Sequence, residues 1–186
     1  MAELPTIELV TPLTGPPELR FQAARLLGEH LGATDLLLFV TDPELGASLP
    51  PLGFPQTLQG GRLWRAFIQT CLRAGTAEAQ LCYPTALDSR IAHGWAADDE
   101  TVLVLFDGTP DHNRVAAVCS LLPLLGALYR NERMAFSAAG QAKVARESAA
   151  HAKKLADALD YIRAELQTAL AVQQEQIAER KKAEEE

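Results

Sequence analysis

The sequence has few cysteines, and they show no metal-ligand spacing. The number of cysteines is odd, and no two of Cys71, Cys82 and Cys119 have CxxC spacing. Such cysteine usage is typical of a protein from a reducing compartment. The N-terminal MAELPTIEL contains no Lys or Arg and so lacks the basic start of a signal peptide. No apolar run reaches about 18 residues, the length that a membrane-spanning helix needs. We therefore expect a cytoplasmic protein without a membrane helix.

Basic residues are scarce in the first part of the chain. Up to Pro110 there are six arginines, no lysine and thirteen acidic residues, a net charge of −7. From Asp111 on, eleven basic and eleven acidic residues cancel. Nucleic acids and anionic membranes are bound through basic patches, so this charge argues against both as partners.

Proline and glycine are absent from residues 141–182, which are rich in Ala, Glu, Lys, Gln and Leu. These are strong helix formers, so one helix of roughly 60 Å is predicted. Its larger apolar residues form a narrow stripe with steps of three and four and an eleven-residue component, typical of a coiled coil. We call this stripe the seam; its residues are Val144, Leu155, Leu159, Ile162, Leu166, Leu170 and Ile177.

A domain of this size is about 30 Å across, so it cannot cover the whole seam. We therefore expect a homodimer in which the seams of two chains pair as a coiled coil. The alternative is a surface helix folded back on its own domain. The polar residues Ser148, His151 and Gln173 lie in the seam, which weakens it relative to an all-leucine zipper.

The residues before this helix predict an N-terminal arm over 1–15 and one domain over 16–140, with the coiled-coil helix over 141–186. Within the domain, a helix is expected from Pro16 to Gly32, with Thr14 as its cap. A buried strand follows at 35–41, then a long loop over 42–61 with at most a weak strand, and a second helix over 62–74.

The second half of the domain contains the clearest hairpin pattern. A strand over 77–83 and a turn or short helix over 85–90 precede two strand-like runs, 90–97 and 100–106, with acidic turn residues between them. Thr109-Pro110-Asp111 predicts the start of a helix, and Pro123 is expected to bend that helix. We expect this helix to continue past Gly140 into the coiled coil. The fold class is thus α+β, an antiparallel sheet flanked by helices.

This order of elements resembles a GAF domain over about residues 16–133. The VLVLF strand, the Pro/Asp turn and the helix LLPLLGALYRNERM are similar to the closing part of many GAF domains. The tail QQEQIAERKKAEEE resembles the linker helix that precedes the phosphotransfer region of bacterial sensor histidine kinases. The resemblance implies a dimeric sensory input module in two-component signal transduction. It relays a ligand or partner signal through a parallel coiled coil to an output domain that this chain does not contain.

The chain itself is not expected to be an enzyme. No phosphoacceptor histidine pattern, glycine-rich ATP lid or GGDEF-type cyclase motif is present; His151, for example, is followed by Ala-Lys-Lys. No catalytic triad or paired carboxylates can be argued from spacing. No cofactor is evident, and a bilin on a cysteine is not supported because the phytochrome-type motif is missing.

A small-molecule pocket is the second functional expectation. His93 and Trp95 share one face of their strand, and with Tyr83 they would line a pocket that Arg90 supplies with a positive charge and Phe39 with an apolar wall. The alternative is that His93 and Trp95 face solvent or simply pack. A filled interior would instead indicate a dimerisation scaffold without a ligand.

Two other chemistries are weaker. A thiol redox enzyme would need reactive cysteines, but Cys71 and Cys119 lie among apolar residues, where a thiol is inert. Asp98, Asp99 and Glu100 are three adjacent acids at a hairpin turn, which are more often solvated turn residues than metal ligands. No metal site is therefore predicted.

Overall fold

The computed structural model describes residues 6–56, 60–84 and 88–185, with side chains from residue 7 to residue 177 of those ranges. The chain divides into a first compact unit up to Ala135 and a second unit from Phe136 onward. The sequence had placed this boundary after Gly140. Three parts of the predicted elements lie outside the described residues: residues 1–5 of the arm, residues 57–59 of the loop, and residues 85–87, the first half of the turn predicted over 85–90.

Five strands and several helices make up the described chain, in the order helices, strands, helix, strands, helices. The bounds are α1 Thr6–Val10, a 3-10 helix Thr11–Thr14, α2 Pro17–His30, β1 Asp35–Asp42, β2 Ala47–Leu49, α3 Gly61–Ala74, β3 Thr76–Cys82, β4 Ser89–Ala96, β5 Thr101–Phe106, α4 His112–Cys119 and α5 Leu122–Glu185. The strands form one antiparallel sheet in the order β2-β1-β5-β4-β3. The predicted α+β class and the hairpin of β4 with β5 are confirmed.

The central strands β1 and β5 are covered on both faces. Residues 36–40 and 101–106 are all buried, which explains why both segments are continuous apolar runs rather than alternating ones. On one face, the Trp64 ring of α3 lies 5.3 Å from that of Phe39 and 5.9 Å from that of Phe106. We call this the α3 face of the sheet.

Glycine allows α3 to approach the sheet closely. A Cβ atom at Gly94 on β4 would collide with Cys71 Sγ and would lie 2.9 Å from Phe67 Cζ, both on α3. On the opposite face, a Cβ at Gly28 of α2 would lie 3.3 Å from Leu36 Cβ. Helices thus pack on both faces of the sheet, and a larger residue at Gly94 would push α3 away.

The N-terminal segment is not an extended arm where the structure describes it. Val10 and Leu13 are buried in the core, and Tyr129 Oη donates a hydrogen bond to Leu13 O at 2.8 Å. Nor does Thr14 cap α2, because the residue before that helix is Pro16, which has no side-chain cap. The first turn of α2 is instead preset by proline.

The prediction of a helix bent at Pro123 was wrong. Asp111 caps α4 by accepting from the backbone N–H groups of Asn113 and Arg114, and α4 ends at Cys119. Pro123 is the second residue of the next helix, α5, where a missing N–H has no cost. As expected, α5 continues through Gly140 without interruption.

Candidate functional site

The five residues predicted to line a ligand pocket lie on two different faces of the sheet. Phe39 and Tyr83 are buried on the α3 face, where the Tyr83 ring meets the Phe106 ring edge-on at 5.0 Å. Arg90 shares this face, because its guanidinium lies 4.2 Å above the Tyr83 ring. His93 and Trp95 have the opposite strand parity and lie on the other face. The structure therefore does not bring the five residues together.

Arg90 is not available as a free anion-binding group. Its Nε donates to Asp88 Oδ2 at 2.8 Å, its Nη1 donates to Asp35 Oδ2 at 3.0 Å, and Asp107 Oδ2 lies 3.9 Å from Nε. The hydrogen bond with Asp88 raises the pKa of Arg90 and lowers the pKa of Asp88. Three carboxylates around one guanidinium leave an excess of negative charge, which disfavours an anionic ligand here.

His93 and Trp95 form a small polar and aromatic surface on the other face of β3 and β4. Their rings lie 6.2 Å apart, and His93 Nδ1 lies 3.3 Å from Glu78 Oε2 on the neighbouring strand. Ile91, on the same face, is 48 % exposed. These side chains are partly exposed to solvent rather than enclosed, and enclosure is what small-molecule sites need.

The cysteines do not form a reactive pair. Burial raises the pKa of both Cys71 and Cys119 to about 11. A thiol that stays protonated at neutral pH is a poor nucleophile, which weakens the redox alternative. All three cysteines are free thiols.

The acidic turn between β4 and β5 has structural roles. Asp98 Oδ1 accepts from the backbone N–H of Glu100 at 2.9 Å and from that of Thr101 at 2.5 Å, which fixes the turn. Glu100 forms an ion pair with Arg130. Among the residues that the structure describes, no three His, Cys, Asp or Glu side chains lie close enough together to hold a metal ion.

The first part of α5 is held by a partly buried ion pair that sequence reasoning missed. Arg20 of α2 is 1 % exposed, and its Nη1 and Nη2 donate to the two carboxylate oxygens of Glu132 at 2.7 and 2.6 Å. Arg20 Nε also donates to Gly15 O at 2.8 Å, and its guanidinium lies 4.9 Å above the Tyr129 ring. The hydrogen bond with Glu132 raises the pKa of Arg20. One sequence signal could have revealed that Arg20 is buried. Its spacing places this charged residue on the same face of α2 as the apolar Ala23, Ala24 and Leu27.

Two further ion pairs fix the same part of α5 to the ends of strands. Arg130 Nη1 lies 2.5 Å from Glu100 Oε2, and Arg133 Nε lies 3.0 Å from Asp42 Oδ2 at the end of β1. We call the three pairs Arg20–Glu132, Arg130–Glu100 and Arg133–Asp42 the anchor. It ties residues 130–133 to a helix, a hairpin turn and a strand end, and so fixes both the position and the rotation of the helix there.

Close packing sets the distance between α5 and the sheet next to the anchor. A Cβ atom at Gly126 would collide with Thr101 Oγ1 on β5. The Thr101 hydroxyl is buried and has no hydrogen-bond partner among the described residues. The helix therefore rests directly on the strand at this point.

The predicted seam lies on the part of α5 that follows Phe136. Its seven side chains are between 48 and 66 % exposed in the single chain, from Ile177 to Leu159. Large apolar side chains in such a line leave a long strip of hydrocarbon in water. Tyr161 and Val172 are similarly exposed but lie off the seam, and both serve as control sites below.

Comparison of the chain with models of known protein families, with curated proteins and with solved structures gave no match. In the described part of the chain, no helix combines the length and the apolar character required to cross a bilayer. Two candidate functional features remain: the anchor in the first unit, defined by its ion pairs, and the seam in the second unit, defined by its line of exposed apolar side chains.

Proposed function

We propose that this chain is the sensory input and dimerisation module of a signal-transduction protein, with a GAF-like domain ahead of a signalling helix. The seam pairs two copies as a parallel coiled coil. A ligand or partner that acts on the domain changes the packing of α5. The helix relays this change to an output domain of the histidine-kinase type.

The observation that carries the proposal is that one helix holds both the anchor and the seam. Its residues 130–133 are fixed by three ion pairs, and its residues 144–177 expose a single apolar stripe. A second copy of the same helix supplies a covering surface of matching length for that stripe. The fixed end provides a mechanical input to a paired helix.

Dimerisation is tested by sedimentation equilibrium of the whole chain. Replacing both Leu159 and Leu166 by Asp places charges in the seam, and we expect the dimer to weaken on the order of 100-fold or more. The double variant Tyr161→Asp with Val172→Asp introduces the same two charges at similarly exposed sites off the seam and should leave the dimer intact. Equal dissociation constants for the two variants would show that the seam is not the dimer interface.

The relay is tested by linkage between the anchor and the seam. If both belong to one two-state element, Glu132→Gln must change the dimer dissociation constant without touching the seam. Glu29→Gln, which breaks the exposed Arg25–Glu29 pair on α2, is the matched control. An unchanged constant in both variants would separate the anchor from dimerisation and leave no relay.

A second candidate function, a dimerisation scaffold without a ligand, is favoured by one specific observation. The rings of Phe39, Trp64 and Phe106 fill the interior beneath α3 at centroid distances of 5.3 and 5.9 Å. Thermal-shift screening of the whole chain against metabolites separates the two functions. Stabilisation by a compound supports a ligand-driven sensor, whereas a dimer that no compound stabilises supports the scaffold.

A further inference from the structure

The strand β3 forms one edge of the sheet, and over most of its length its outward backbone groups have no hydrogen-bond partner among the described residues. Ala96 N–H donates to Gly75 O at 2.8 Å and Tyr83 N–H donates to Asp88 O at 3.0 Å, so residues of odd number face β4. Antiparallel hydrogen bonding alternates along a strand. The backbone groups of Thr76, Glu78 and Gln80 therefore point away from the sheet, and no described residue bonds to them.

The two edges of this sheet differ in how they are protected. The opposite edge strand, β2, has only three residues and is followed directly by Pro50 and Pro51. Short length and proline are common ways to prevent strands from adding to an edge. β3 has seven residues, no proline or lysine and only one charge, Glu78. Among the described residues, only its end is covered, where Trp64 Nε1 donates to Cys82 O at 3.2 Å.

We propose that β3 pairs antiparallel with β3 of a second copy about a two-fold axis at Ala79, joining two sheets into one. In this register Glu78 of one copy lies opposite Gln80 of the second copy, and the reverse contact follows by symmetry. The backbone N–H and C=O groups of both residues face away from β4, so they are available to hydrogen-bond with a strand added at this edge. The two contacts exchange four main-chain hydrogen bonds.

Charge favours this register over one with the axis at Glu78. An axis at Glu78 would place two carboxylates opposite each other, which is destabilising. With the axis at Ala79, each Glu78 carboxylate can accept from a Gln80 amide on the second copy, while its other oxygen remains near His93. Ala77 lies opposite Leu81 on the apolar side. The sequence TAEAQLC is thus complementary to itself when it is reversed.

This interface is independent of the proposed function, because it uses β3 and not the seam. The two are separated experimentally by measuring association of a chain in which Leu159 and Leu166 are both Asp. Loss of the seam interface leaves β3 pairing as the remaining contact. Failure of β3 pairing, in turn, leaves the seam result unchanged.

The first test changes the charges that face each other across the two-fold axis, in the chain in which Leu159 and Leu166 are both Asp. Gln80→Glu places like charges opposite each other twice and should weaken the dimer about tenfold. The double variant Glu78→Lys with Gln80→Glu places opposite charges across the axis in place of like charges and should recover the dimer. Both residues are exposed, so the fold of the monomer is preserved. A background chain that stays monomeric at the highest attainable concentration, or a dimer that ignores Gln80→Glu, would overturn the proposal.

The second test is a disulfide at the axis, in the chain with an intact seam and with Cys82 and Cys119 replaced by Ser. In the variant Ala79→Cys, the two introduced thiols belong to residues whose Cα atoms are about 4.5 Å apart, within the range of a disulfide. Ala77→Cys is the control, since its two copies would lie roughly 13 Å apart along the strands. We expect a covalent dimer on mild oxidation for Ala79→Cys alone. Equal cross-linking of both variants, or of neither, contradicts the Ala79 axis and would leave the edge to a different occupant.

Discussion

The carboxylate of Glu132 accepts two hydrogen bonds from the guanidinium of Arg20, across 112 residues of sequence. This contact joins α2 to α5 at a point where Arg20 is almost completely buried. A buried guanidinium is tolerated only when its charge and its donors are satisfied. The pair therefore fixes the start of α5 within the first unit, and the stability of that unit depends on both partners.

Removal of Glu132 should be strongly destabilising. Glu132→Ala leaves the buried Arg20 charge without its carboxylate, and we expect a loss of about 3 kcal/mol in the free energy of unfolding. Glu29→Ala breaks an exposed ion pair on α2, the helix that carries Arg20, and should cost less than about 1 kcal/mol. Urea unfolding followed by tryptophan fluorescence measures both. Similar losses in the free energy of unfolding would show that the Arg20–Glu132 contact stabilises the chain no more than an exposed ion pair does.

Two glycines of α5 should respond in opposite ways to alanine. At Gly126 a methyl group would collide with Thr101 Oγ1, so Gly126→Ala should destabilise the chain by about 1–3 kcal/mol. At Gly140 nothing among the described residues lies within 4 Å, so Gly140→Ala should stabilise the helix by roughly 0.5–1 kcal/mol. Thermal unfolding monitored by circular dichroism distinguishes the two. A stabilising Gly126→Ala would mean that α5 does not rest on β5 as described.

The buried thiols predict a loss of stability at alkaline pH. Cys71 and Cys119 have a pKa of about 11 in the folded chain, against an ordinary value of 9.0. Below about pH 9 both states keep the proton, so the full stability is present. Between about pH 9 and 11 the unfolded chain releases protons that the folded chain retains, so the free energy of unfolding falls, by on the order of 2 kcal/mol per thiol.

Urea titrations across this pH range test the prediction, with Cys119→Ala as the variant and Ser120→Ala as its non-titrating neighbour control. Cys119→Ala should reduce the decline between about pH 9 and 11, whereas Ser120→Ala should not. Tyr129, whose pKa is also raised by burial, acts in the same direction above about pH 10 and is common to all three chains. If Cys119→Ala left the fall in the free energy of unfolding unchanged, the fall could not be attributed to the Cys119 thiol.

Local patterns in the sequence were sufficient for most of the elements. Strands β1 and β5 have continuous apolar runs, α3 ends at Gly75, and β4 and β5 are separated by acidic turn residues, so their positions followed from neighbours in sequence. Pro123 was misread because the same residue can end a helix or begin one. In the structure the break falls at Ser120 and Leu121, so Pro123 lies in the first turn of the next helix.

The candidate site depended more on long-range contacts. Arg20 and Glu132 carry no local sign of their partner, and the anchor joins elements that are distant in sequence. The split of the predicted pocket was available from the sequence, because Arg90 and His93 are three residues apart on one strand and must face opposite sides. The coiled-coil seam rests on periodicity alone, and the pairing of two chains stays a prediction.

Distances between spin labels on paired chains test the central claim most directly. Nitroxides are attached in separate samples at Ala145→Cys and at Gln167→Cys, beside the seam, in a chain with Cys82 and Cys119 replaced by Ser. A parallel coiled coil predicts one short distance between the two chains at each position. An antiparallel pair centred between the labels separates the chains by roughly 30 Å along the axis at both positions. Short distances at both positions support the proposed signalling dimer, whereas long distances at both, or no intermolecular signal at all, contradict it.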